Sequence, residues 1–77
     1  MDKPMLRLEG EVYSPEMCKS DACLTARRVK WYLGKQGDWA DPEEVEVVNV
    51  ARGEWCVRIS SATAVMFPNV MDIMTGS

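Results

Sequence analysis

The sequence predicts an α+β fold: a small two-layer domain in β-α-β-β order, one antiparallel sheet packed on one main helix, with an apolar C-terminal segment. Three observations predict it. Residues 5–13 alternate apolar and charged side chains, residues 18–33 place apolar side chains at helical spacing, and two β-branched runs flank the turn-forming pair Arg52-Gly53. The chain has 77 residues, enough for a single domain spanning residues 1–77. A domain of this size buries only about 60% of the surface its unfolded chain exposes. It has room for one thin apolar layer between sheet and helix, not for a deep enclosed pocket. A composition of 47% hydrophobic and 27% charged residues belongs to a chain that folds.

The first strand is expected over Met5 to Tyr13, with Leu6, Leu8 and Val12 on one face and Arg7, Glu9 and Glu11 on the other, a period of two. Gly10 interrupts the apolar face and marks a bulge or a close backbone approach. Two signals compete for the start of the helix. Ser14-Pro15-Glu16 offers an N-cap, a proline suited to the first helical position and an acid for the positive end of the dipole. Ser20-Asp21 offers a second start one and a half turns later. The helix is expected to end at Leu33, with Gly34 in the left-handed position beyond it. Lys30 and Lys35 suit its negative end.

Gly34 to Pro42 reads as a loop that holds Trp39. Val45 to Val50 is the second strand, Arg52-Gly53 a tight turn, and Trp55 to Ile59 the third strand of a hairpin. Val45 and Val47 share one face, Val48 and Val50 the other, so neither face is wholly polar. From Ser60 the pattern divides. Either Ser61 caps a short helix reaching Phe67, or Thr63 to Phe67 is a strand; Pro68 stops both, and Val70 to Met74 can form a last helical turn.

The helix carries two apolar stripes where a two-layer domain buries one. At about 100° per residue, Cys18, Ala22, Ala26, Val29 and Leu33 fall on one side, while Met17, Leu24 and Trp31 fall on another beside Arg27, Arg28 and Lys35. Two accounts of the second stripe stand open. The apolar tail (Val65, Met66, Phe67, Val70, Met71, Ile73 and Met74) folds over it, or Leu24, Arg27, Arg28, Trp31 and Lys35, with Trp39 nearby, form a surface for a partner. Trp and Arg are over-represented at binding hot spots.

The composition also narrows the chemistry. There is no histidine, which removes the commonest general base, the commonest metal ligand and every Ser-His or Cys-His arrangement. Gly34-Lys35-Gln36-Gly37 lacks the spacing and the following Ser/Thr of a phosphate loop. Adjacent Glu43 and Glu44 point apart on either a strand or a helix, so they read as a solvated acidic edge. No catalytic residue, cofactor or metal is expected. Cys18, Cys23 and Cys56 supply too few ligands, at too long a spacing, for an ordinary zinc site. Three cysteines without an export signal read as free thiols, packed as small hydrophobes, in a cytoplasmic protein. The longest uncharged stretch, Ile59 to Met71, is broken by Pro68 and falls short of the ~20 residues that span a bilayer.

The charge is two-sided. Residues 1–37 carry seven Lys/Arg against five acids, a net of +2; residues 38–77 carry two against seven, a net of −5. Asp38, Asp41, Glu43, Glu44 and Glu46 concentrate the acid in one segment. The leading expectation is a small non-catalytic protein-binding module, of the kind that phage or plasmids encode to block a host complex, an analogy of type that no motif carries. A winged-helix-like DNA-binding regulator is the alternative, with Arg27-Arg28-x-Lys30-Trp31 as recognition helix and Arg52 at the tip of a wing. Its acidic hairpin and a pI near 4.8 oppose phosphate binding. A third reading is a self-associating assembly subunit or homodimer, through open strand edges and an adaptable Met-rich tail.

Overall fold

Three strands in the order β1-β3-β2 form an antiparallel sheet, and one long helix crosses one of its faces. A computed structural model describes residues 10–76. The strands are β1 (Glu11–Tyr13), β2 (Glu46–Ala51) and β3 (Glu54–Ser60); the helices are α1 (Lys19–Gly34), α2 (Ser61–Met66) and α3 (Asn69–Thr75). The predicted β-α-β-β order holds, followed by two short helices. Residues 5–9 of the predicted first strand lie outside the described residues.

Side-chain alternation fixes the two faces of the sheet. Val12 pairs with Ile59, and Val47 with Val57; these side chains and Trp55 pack into the core with Ala22, Ala26, Val29 and Leu33 of α1. The small alanines let the helix lie close to the strands. Cys56, Val48 and Tyr13 alternate onto the outer face. Beyond β1 the chain stays alongside β3 in a bulged form. Ser14 donates its N–H to the Val57 carbonyl and its hydroxyl accepts the Val57 N–H, both at 2.9 Å. Met17 then exchanges both backbone hydrogen bonds with Trp55.

Ser14 is therefore a buried residue bonded to β3 just beyond β1, and not a helix cap. The helix begins later, with Cys18 as N-cap and the Ser20-Asp21 signal in its first turn. Cys18 and Cys23 are exposed and only Cys56 is buried, so two of the three cysteines are not the packed hydrophobes expected. The other end differs too. Gly34 is the last helical residue, Lys35 follows in right-handed geometry, and the left-handed turn falls on Gly37, with φ +79°. The Lys35 and Gln36 N–H groups bond back to the Tyr32 and Leu33 carbonyls, so the helix tightens once more before it stops.

Arg52-Gly53 makes the hairpin turn, with Gly53 at φ +74°. The register slips between Asn49 and Ala51, and the Asn49 amide closes the slip by donating to the carbonyls of Ala51 and Glu54. At the C-terminal end the cap is Ser60, not Ser61. Its hydroxyl accepts the Thr63 N–H and starts α2, and no strand forms at Thr63 to Phe67. Val70 and Met74 of α3 are fully buried beside α1 and complete the core.

Candidate functional site

On α1 the buried residues Ala22, Ala26, Val29 and Leu33 lie diametrically opposite Leu24, Arg27, Arg28, Trp31 and Lys35 at 100° per residue. Leu24 is 46% exposed and Trp31 65% exposed. The apolar tail does not fold over them. It goes to the core through Val70 and Met74, while Val65 and Met66 themselves stand out in solvent. What α3 does is run along one flank of the stripe. Arg28, Trp31 and Tyr32 face Ile73 and Gly76 across a groove of about 280 Å³. Leu24, Thr25 and Arg28 face Met74 and Gly76 across a second, of about 360 Å³, which Glu16 and Asp21 also line. The Asn69 amide donates to the Tyr32 hydroxyl at 3.4 Å and ties the start of α3 to α1.

Arg27, Arg28, Lys30 and Lys35 are exposed, and from residue 27 to residue 35 the chain holds no acid. None of the four forms an ion pair among the described residues. The pair that does form there joins Arg58 to Glu46 across the sheet. Lys35 instead lies over the Trp31 ring, 4.4 Å from its centroid. The stripe is thus an apolar centre whose rim is cationic at Arg27, Arg28 and Lys35 and carries Asp21 and Glu16 at the groove beside Leu24. Met17, the third member of its spacing, lies before the helix and packs partly into the core.

The third tryptophan, Trp55, is half-buried against the core with Lys19 over its ring at 5.1 Å. The remaining predicted site residues divide. The Trp39 side chain lies outside the described residues. Of the acids, Asp38 and Glu43 are exposed, and the Asp41 carboxylate caps the Glu43 N–H of the turn Pro42–Glu44. Glu44 turns inward, accepting from the Ser60 N–H and hydroxyl, and Glu46 is held by Arg58. The acidic segment is therefore partly spent on internal contacts, and Glu43 and Glu44 do not share a site.

Sequence periodicity found the stripe but missed the α3 wall, because nothing in residues 69–76 says which side of α1 they pack on. It also missed a depression of about 600 Å³ on the outer sheet face, lined by Tyr13, Pro15, Glu16, Val50 and Cys56 among others. The signal for it was Val48 and Val50 alternating away from the core. Burial there pushes the Cys56 thiol above its usual range, and the Glu16 and Glu54 carboxylates add to the shift.

Among the described residues no group of three His, Cys, Asp or Glu side chains is placed to hold a metal ion, and no helix is long and apolar enough to cross a membrane. Comparison with protein-family models, curated proteins and solved structures gives no match.

Proposed function

We propose that this chain is a small non-catalytic protein-binding module, an inhibitor or adaptor, and that the outer face of α1 engages an acidic protein surface. The observation that carries the reading is the exposure of Leu24 and Trp31 directly opposite the buried face of the helix, beside Arg27, Arg28 and Lys35, which form no ion pair among the described residues. An apolar contact flanked by Arg27, Arg28 and Lys35 suits a partner that offers an aliphatic or aromatic anchor beside carboxylates. Rim charges of this kind act chiefly on encounter rate and orientation, while the desolvated aromatic centre supplies affinity. A reducing cytoplasm goes with the reading, since Cys18 and Cys23 are exposed thiols.

The nucleic-acid alternative is weaker on geometry. Arg52 lies at the hairpin tip, next to Trp55 and so at the Met17 end of α1, whereas Arg27 comes eight residues into the helix, about 12 Å along it. Glu54 beside Arg52 would repel phosphate.

The test is retention from lysate on the immobilised chain, with and without nuclease, set beside Trp31→Ala and Arg27→Glu/Arg28→Glu. Retention of the same protein in both lysates, lost with either variant, is the expected result. Retention that disappears with nuclease, or that both variants preserve, contradicts the reading.

A further inference from the structure

We propose that the chain associates with itself head to tail, the basic outer face of α1 in one copy seating on the acidic outer face of the sheet in the next. The inference rests on the reading of α1 as a protein-binding face and names its partner as a second copy.

The outer sheet face has the same plan as the helix stripe with the opposite sign. Its apolar centre is Tyr13, 48% exposed, and Val50, 45% exposed, over the buried Cys56. Its rim is acidic. Glu11 and Glu54 alternate onto this face by their register with Ser60 and Ala51, and Glu16 stands at its edge, lining both the depression and the groove beside Leu24 and Arg28. None of these three carboxylates forms an ion pair among the described residues, and Arg58, the cation that β3 places on the same face, is already held by Glu46. That the Cys56 thiol is pushed up by Glu16 and Glu54 as well as by burial agrees with a negative field there.

Charge decides between the pairings. Two α1 faces related by a dyad would set Arg27, Arg28 and Lys35 against their own copies, and two sheet faces would set Glu11 and Glu54 against theirs. Pairing one face of each kind matches sign to sign. Because α1 packs on the inner face of the sheet, Trp31 and Arg27 on its outer side and Tyr13, Glu11 and Glu54 on the outer sheet face point to opposite sides of the molecule, with Glu16 at the edge between them. Every contact therefore leaves one helix face and one sheet face free at the ends. Such a heterologous contact grows into an open chain unless its rotation closes a ring.

Sedimentation velocity on the full chain tests this. At low salt the sedimentation coefficient is expected to rise with loading up to about 1 mM, the range of a weak contact, and to return to the monomer value at about 0.5 M salt, where screening reaches only a few ångströms. Arg27→Glu/Arg28→Glu and Glu11→Lys/Glu54→Lys each remain monomeric alone. Their equimolar mixture associates again, because each supplies the native face that the other lacks. A wild-type chain that is monomeric throughout, one that stops at a dimer of fixed mass, or one whose growth the variants leave unchanged overturns the proposal. A monomer that still retains another protein through Trp31 removes the self-association and leaves the binding-module reading standing; a monomer that retains nothing removes both.

Discussion

Glu43 and Glu44 are adjacent acids in one 3-10 turn, and their surroundings give them different work. The Glu43 side chain stands in solvent, whereas Glu44 reaches the start of α2 and accepts from the Ser60 N–H and hydroxyl. A charge-assisted bond to a part-buried N–H is worth about 1–2 kcal/mol, with the cost of an unsatisfied donor behind it. Glu44→Ala is expected to lower stability by about that amount in urea unfolding, and Glu43→Ala to stay within about 0.5 kcal/mol of wild type. The cysteines divide in the same way. Cys18 and Cys23 are expected to react with a thiol reagent in the native state, and Cys56 only after unfolding. The folded state raises the Cys56 pKa above its usual 9.0, so it favours the protonated thiol. That contribution is fully present below pH 9 and is lost as pH rises through the folded value. Titrating stability from neutral to alkaline pH should show the decline, and Cys56→Ala should reduce it.

At the scale of elements, most of the fold was legible. Alternation named the strand faces, Arg52-Gly53 marked the hairpin, and the spacing of Ala22, Ala26, Val29 and Leu33 marked the buried side of α1. What misled was capping chemistry. Ser14-Pro15-Glu16 has the composition of a helix start, but pairing with Val57 and Trp55 holds the chain on the sheet as far as Met17. Gly34 has the composition of a helix stop, but the tight bonds to the Tyr32 and Leu33 carbonyls carry the turn on to Gly37. The two glycines should therefore respond oppositely to alanine. At Gly34 an added Cβ meets nothing within 4 Å, and Gly34→Ala is expected to stabilise by about 0.5–1 kcal/mol. At Gly37 the backbone is left-handed, and Gly37→Ala should cost about 1–2 kcal/mol. Thermal melts of the pair check both signs.

For the whole molecule, the question the sequence left open was whether its tail covers the second stripe of α1. Periodicity gives the direction of Leu24 and Trp31 from the helix axis, but it does not say where Val70 and Met74 go. That depends on packing between elements nearly forty residues apart. In the fold the tail goes into the core and leaves the stripe bare, with α3 as a flanking wall. The result is a two-layer domain with a basic apolar face on the helix side and an acidic apolar face on the sheet side. Both proposals on binding start from the first of these faces, so Trp31 is the residue to change. The direct measurement is the melting temperature of Trp31→Ala beside its binding. A side chain that is 65% exposed contributes little to the core, so the melt is expected to move by no more than about 4 °C while partner retention is lost. A fall of more than about 15 °C, which is what removing a core tryptophan produces, would place Trp31 in the core and contradict the account.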